Sequence, residues 1–250
     1  MWYKLKRILI YPDGVTEKQV YPKTIPQDWL LWYRPLQSDL KDASWNQKDW
    51  SWYSWTWNFS TTWGYIWARV TKDSNPWDTT QHIITTLNYT GYEKSMFWWI
   101  CFNSKGSTWS GLMTDSAATT DGKDYFSIIW LRPADSNNIY VTCNWDISWT
   151  NKLWSQQKVW NSPTIWTWYF WCATFASDGT TKFYVNWTLS STVTSSIWSS
   201  PSTPAVFRIW CSEYRSTNKF WGTDWWIRHC WVYNRVINDS EVLSIYNLTQ

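Results

Sequence analysis

Short apolar runs alternate with polar segments along most of the chain. The runs have the length of β-strands, and Ser, Thr, Asn and Asp fill the segments between them. Regularly spaced short strands separated by turn residues predict an all-β fold, a two-sheet antiparallel β-sandwich or jelly roll. The predicted strands are residues 30–35, 65–70, 82–87, 97–103, 125–132, 139–144, 169–176, 182–186, 205–211 and 226–233.

The two ends of the chain predict different elements. Residues 1–27 predict a short N-terminal β-hairpin and linker, because β-like residues flank a Pro-Asp-Gly turn at 12–14. Residues 28–250 then form one sandwich domain. Within it, Asn238–Tyr246 starts with a capping residue and predicts a short C-terminal helical turn.

Tryptophan is unusually frequent in this chain and glycine is scarce. There are 29 tryptophans and 8 glycines in 250 residues, whereas glycine ordinarily makes up about 7% of a protein. Strand-like residues flank Asn186-Trp187, which predicts a two-residue hairpin turn that ordinarily takes Asn-Gly. The tryptophans between Ser44 and Phe59 follow neither the period of a strand nor that of a helix.

These positions lead to the hypothesis that many of the tryptophans are glycines in the natural protein. The codon UGA is read as tryptophan in some genetic codes and as glycine in others, so translation with the wrong code would produce this pattern. The alternative is a truly tryptophan-rich protein, such as a carbohydrate binder with many stacking platforms. Turn chemistry favours recoding, and Trp130, inside an apolar run, is the best candidate for a genuine tryptophan.

Charge and cysteine content bound the function. The net charge is +3 and 16% of the residues are charged, so we expect no nucleic-acid partner. No apolar run reaches the length of a membrane span or of a signal-peptide core. We therefore expect no membrane insertion, and a protein that is cytoplasmic when made and extracellular or on a virion after release. The five cysteines lack metal or redox spacing, and Cys172 and Cys230 are expected to be buried.

Several segments resemble one family, and they occur in the family's order. Residues 30–50 (LLWYRPL, then DASWN) resemble the opening of laminin-G-like domains in the concanavalin A-like lectin and glucanase superfamily. Residues 126–133 (FSIIWLRP) and 168–189 (WYFWCATF, then FYVNWTL) are similar to two of its strand motifs, and 207–244 to its ending. The positions at which this chain has tryptophan and the family has glycine are Trp45, Trp50, Trp187 and Trp210.

This resemblance covers roughly residues 28–247 and implies a sandwich that binds glycans or protein surfaces. Some members of the family hydrolyse glucans. The resemblance also implies calcium at a loop rim, where Asp42, Asn46 and Asp49 would supply oxygen ligands. The sequence itself favours the alternative, an Asx-rich turn that satisfies its own backbone. No other cofactor is expected.

Catalytic residues are not indicated. A retaining glucanase needs two carboxyl groups about 5–5.5 Å apart, and the four glutamates of the chain lack a second acid at strand spacing. Asp239 and Glu241 are close in sequence, but they open the terminal helix, where acidic residues stabilise the helix start. His229 is expected to be an ordinary strand histidine. We expect no enzymatic activity, and a diverged glycoside hydrolase is the less favoured alternative.

The segment 212–219 carries the candidate ligand-binding residues. Tyr214, Arg215 and Asn218 place an aromatic ring and polar groups within one short stretch, as glycan binding requires. A solvated hairpin loop is the alternative for this segment. We expect a non-enzymatic recognition or adhesion module that binds a glycan or cell-surface ligand, as part of a phage tail or other virion structure with virion proteins as partners. A purely structural particle or surface protein without a glycan ligand is the alternative.

Overall fold

The fold is taken from a computed structural model of the chain, and its description covers fourteen stretches. The predicted N-terminal hairpin at 1–27 lies outside them, as do the candidate calcium ligands Asp42, Asn46 and Asp49. The described residues are 30–34, 50–51, 58–60, 67–70, 83–89, 93–105, 110–116, 126–132, 136–142, 156–194, 205–209, 212–214, 218–220 and 225–250.

Two antiparallel sheets form the sandwich, which confirms the predicted all-β class. The first sheet runs in the order β13-β12-β11-β6-β17-β4-β3, with β1 also paired to β17. Its strands are β1 (Leu30–Arg34), β3 (Asn58–Ser60), β4 (Trp67–Val70), β6 (Lys94–Phe102), β11 (Trp168–Phe175), β12 (Thr180–Val185), β13 (Thr188–Thr194) and β17 (Trp225–Tyr233).

The second sheet runs in the order β10-β9-β8-β7-β14-β5-β2. Its strands are β2 (Trp50–Ser51), β5 (Ile83–Tyr89), β7 (Ser110–Ser116), β8 (Phe126–Arg132), β9 (Asn138–Thr142), β10 (Gln156–Trp160) and β14 (Ala205–Ile209). A separate two-stranded hairpin consists of β15 (Ser212–Tyr214) and β16 (Asn218–Phe220). Each predicted strand is present, with its ends moved by three residues at most.

The central strands of the first sheet are buried on both faces. Alternate residues of β6 separate in space: Met96 and Trp98 belong to the core between the sheets, whereas Phe97 and Trp99 belong to a second core beneath the C-terminal helix. Successive side chains of a strand point to opposite faces, so a strand covered on both sides must be apolar throughout. This is why β6 reads as the continuous run MFWWICF.

The C-terminal helix α1 (Asp239–Thr249) covers the outer face of the first sheet. Asn238 caps it: its side chain accepts a hydrogen bond from the backbone N–H of Glu241 at 3.0 Å, and the Glu241 carboxylate accepts one from the N–H of Asn238 at 2.9 Å. This reciprocal pair is a capping box. The predicted cap is therefore confirmed, although the helix has 11 residues rather than a turn or two, because Val242 and Ile245 pack against the sheet.

Candidate functional site

The β15–β16 hairpin brings together two of the three predicted ligand-binding residues. Tyr214 and Asn218 are direct partners in the register of the two strands. Arg215 follows Tyr214 in the connection between the strands and lies outside the described residues. The hairpin packs beside β7 of the second sheet. A hairpin over this segment agrees with the sequence analysis, and the ligand contacts of its residues stay a prediction.

Two carboxylates near the start of α1 have structural partners. The Tyr184 hydroxyl donates to Oδ1 of Asp239 at 2.6 Å, and the Arg235 guanidinium donates to Oε2 of Glu241 at 2.9 Å. These donors lower the pKa of both carboxyl groups, that of Asp239 through Tyr184 and that of Glu241 through Arg235. A glycosidase acid needs a raised pKa instead, so this pair serves the helix rather than acid catalysis.

His229 lies in β17, as predicted, but at an irregular point of the strand. Arg228 pairs with Trp99 and Trp231 pairs with Phe97, so two residues of β17 stand opposite one of β6. This is a β-bulge, and its first residue, His229, has a left-handed φ of 49°. The imidazole is buried and stacks on the Trp231 ring at 5.4 Å. Only the three-dimensional register reveals the bulge, because nothing in the local sequence marks it.

The described cysteines are buried thiols. Burial raises the pKa of Cys101 to about 11 and that of Cys172 well above its ordinary value. Cys230 is likewise buried, so the predicted burial of Cys172 and Cys230 is confirmed. A thiol that stays protonated is a poor nucleophile and a poor metal ligand.

A surface of which the sequence analysis singled out only Trp187, as a turn residue, lies at one end of the first sheet. We call it the aromatic end; it consists of the exposed side chains of Ile165, Trp166, Trp187 and Leu189. The backbone explains why they meet at this end. Trp166 N–H donates to the Phe102 carbonyl at 2.7 Å, and Asn186 N–H donates to the Phe170 carbonyl at 2.8 Å, so both turns lie where β6 ends and β11 begins.

Within the described stretches, no three His, Cys, Asp or Glu side chains are placed to hold a metal ion. The candidate calcium ligands lie elsewhere in the chain and stay a prediction. The one described helix is neither long nor apolar enough to cross a membrane.

Comparison with known proteins identifies the fold. No protein-family model matches the chain, and no curated protein matches its sequence. One similar structure is that of botulinum neurotoxin type C, whose cell entry depends on interaction with two ganglioside molecules. It matches with a TM-score of 0.66 and 16% identity over 90% of this chain. The binding domain of botulinum neurotoxin DC in complex with SialylT matches with a TM-score of 0.65 and 16% identity, again over 90% of this chain.

A third similar structure is that of an enzyme. The Trypanosoma rangeli sialidase in complex with 2,3-difluorosialic acid matches with a TM-score of 0.60 and 10% identity, over 89% of this chain and 33% of the sialidase. The chain spans about half the length of the neurotoxin structures that it matches, 52% of each. At these identities the comparisons show a lectin-like β-sandwich fold, which binding domains and at least one enzyme share.

Proposed function

We propose that the protein is a non-enzymatic recognition module that binds a cell-surface glycan through its β15–β16 hairpin. The observation that carries this proposal is the cross-strand pair Tyr214 and Asn218 in a hairpin on a lectin-like sandwich, with Arg215 next to Tyr214 in the sequence. The hairpin forms its own two-stranded sheet and packs beside β7 of the second sheet.

The chemistry of the three residues suits a sugar that carries an acidic group. A tyrosine ring offers a flat apolar surface and a polar hydroxyl at low entropic cost. An asparagine amide both donates and accepts hydrogen bonds, as sugar hydroxyls require. The arginine guanidinium binds a carboxylate through two parallel hydrogen bonds. Together they favour a glycan that ends in a carboxylate over a neutral one.

Sialylated glycans are therefore the first ligand class to test. The similar structures support this choice of test compounds, because they involve gangliosides, SialylT and a sialic acid derivative. The similarity is one of fold, so the ligand proposal itself rests on the hairpin residues.

The finer family assignment and the setting of the protein also belong to this proposal. We assign the sandwich to the laminin-G-like type on its motif order, and we place it on the outside of a phage or virion particle. For Asp42, Asn46 and Asp49 we retain the Asx-rich turn in preference to calcium. A melting temperature that rises with CaCl₂ and falls with EDTA, and that loses this response in Asp49→Asn, would reverse that choice.

Recoding of UGA bears on the function because it decides which aromatic surfaces exist. We propose that many tryptophans of the chain are glycines in the natural protein. The Asn186-Trp187 turn supports this: both residues have left-handed backbone, with φ of 48° and 63°, as the type I′ turn of an Asn-Gly hairpin does. The proposed glycan site uses no tryptophan, so it stands under either genetic code.

A glycan array probed with the labelled protein tests the proposed function. We expect binding to sialylated glycans that is lost in Tyr214→Ala and kept in the matched surface variant Thr192→Ala, since Thr192 lies exposed on β13. An array without any binding would favour the structural particle protein. Release of reducing sugar from a bound glycan would favour the hydrolase.

A further inference from the structure

We infer that Trp166 and Trp187 occupy glycine positions, whereas Trp99 is a tryptophan of the natural protein, so that the aromatic end is not a ligand platform. This inference rests on the proposed recoding and assigns it to individual residues. Backbone conformation, side-chain partners and burial each separate the two kinds of position.

Trp187 has the backbone that glycine adopts most easily. Val185 pairs with Thr188, so Asn186 and Trp187 form a two-residue loop with φ of 48° and 63°. A type I′ turn requires positive φ at both central residues, and its second position strongly prefers glycine. For an L-residue with a bulky side chain, the Cβ atom crowds the following carbonyl oxygen in this conformation. The Trp187 side chain is 48% exposed and therefore gains little packing in return.

Trp166, in a second turn, also combines a left-handed backbone with a bulky, exposed side chain. Its φ is 60°, its side chain is 64% exposed, and its backbone N–H is fixed by the Phe102 carbonyl at 2.7 Å. This hydrogen bond holds the chain before Trp166, and the pairing of Trp168 with Cys101 holds it just after, so a change to negative φ would disturb one of the two. Among the described residues, no ring contact or side-chain hydrogen bond involves either indole.

The other residues with positive φ show what the fold ordinarily places in this conformation. They are Ser136, Asn137, Asn186 and His229, together with Gly179. Asn and His are the side chains that enter the left-handed region most often after glycine, whereas a bulky side chain there is an outlier. The two tryptophans are therefore the exceptions in the described part of the chain.

Trp99 is the opposite case in every respect. It lies within β6, it is 6% exposed, and its indole N–H donates to Oγ1 of Thr249 at 2.8 Å. Its ring stacks on Tyr246 at 5.6 Å with an interplanar angle of 17°. A buried tryptophan normally needs a partner for its N–H, and this one has a partner 150 residues away. Glycine in its place would leave α1 without part of its contact surface.

The experiment compares glycine and alanine at each position in the recombinant chain. Alanine removes the indole but keeps the Cβ atom, so the difference between the two variants isolates the backbone effect. At positions 187 and 166, we expect each glycine variant to melt about 2–4 °C above the alanine variant at the same position. Trp187→Gly and Trp166→Gly should also keep the glycan binding of the unaltered protein. At Trp99 both substitutions should lower the melting temperature sharply, with no advantage for glycine.

Peptide mass spectrometry of the protein from its natural source then separates this inference from the recoding itself. Glycine at 166 and 187 with tryptophan at 99 supports both. Glycine at other tryptophan positions, with tryptophan at 187, keeps the recoding and overturns the assignment. Tryptophan at every position overturns both, as would a Trp187→Gly variant that melts below Trp187→Ala or loses glycan binding. If the protein binds no glycan, the melting temperatures and the peptide masses still test this inference, because neither depends on a ligand.

Discussion

The indole N–H of Trp99, in a central strand of the first sheet, donates to the hydroxyl of Thr249, in the last turn of α1, at 2.8 Å. The same hydroxyl donates to the Ile245 carbonyl at 2.9 Å, so it closes the end of the helix and links it to the sheet. This contact explains why the helix continues to Thr249, beyond the end at Tyr246 that the sequence predicts.

Thr249→Val tests this link, because valine keeps the shape of threonine and removes the hydroxyl. The Trp99 N–H would be left buried without its acceptor, at a cost of about 1–3 kcal/mol. We expect the free energy of unfolding, measured by urea titration, to fall by that amount. Thr249→Ser, which keeps the hydroxyl, should lose clearly less. Equal losses in the two variants would show that packing alone holds the helix end.

Asn186 gives a second prediction, because it has a left-handed backbone and a side chain that bonds to the neighbouring strand. Its Oδ1 accepts a hydrogen bond from the Phe170 N–H at 2.9 Å. Asn186→Ala loses this bond and keeps the strained φ, so we expect a loss of about 2 kcal/mol. Asn186→Gly loses only the bond and should cost about half as much.

Thermal unfolding followed by circular dichroism measures both variants at one pH. Alanine and glycine variants of equal stability would contradict the left-handed conformation at this position, and with it the type I′ turn. The result does not depend on the identity of residue 187, because both variants retain it.

The Arg235–Glu241 ion pair predicts a dependence of stability on acid. The pKa of Glu241 is lowered in the folded protein, chiefly by the Arg235 hydrogen bonds. A carboxyl group with a lowered folded pKa stabilises the fold fully above its unfolded pKa, about 4.3, and this stabilisation is lost as the pH falls toward the folded pKa. The melting temperature should therefore decrease as the pH is lowered below about 4.5.

Glu241→Gln keeps a capping side chain but removes the charge. We expect it to lower stability by about 1–2 kcal/mol at pH 7 and to flatten the acid-side slope of melting temperature against pH. Glu93→Gln serves as the matched control, since Glu93 is an exposed glutamate outside the helix that accepts a hydrogen bond from the Ser177 hydroxyl. Identical slopes in the unaltered protein and in Glu241→Gln would show that another carboxyl group governs the acid response.

The strands that the sequence predicts correctly are mostly those with a buried apolar face. Strand β6 carries the unbroken apolar run MFWWICF because both of its faces are covered. The sequence analysis missed β13, TLSSTVT, which lies at the edge of the first sheet with mostly exposed side chains. An exposed edge strand needs no apolar alternation, so its polar residues resemble a loop in sequence. The short strands β2, β3, β15 and β16 have too few residues to show a period.

The two candidate surfaces also differ in how far the sequence predicts which residues meet. Tyr214 and Asn218 are close in sequence and pair across the hairpin, so local reasoning predicts that they meet, and their role in ligand binding stays a prediction. The aromatic end is assembled from turns 21 residues apart, at Trp166 and Trp187. Its position follows only from the pairing of β11 with β6 and β12, which the sequence does not specify.

Titration of the protein with a sialylated oligosaccharide and with its desialylated counterpart, followed by calorimetry, tests the central claim most directly. The account predicts saturable binding of the sialylated sugar with a Kd of about 1 μM to 1 mM. Binding should weaken at least tenfold in Arg215→Ala, and Thr192→Ala should match the unaltered protein. Equal affinity for both sugars, or an Arg215→Ala variant that binds like the unaltered protein, would contradict recognition of an acidic glycan by the β15–β16 hairpin.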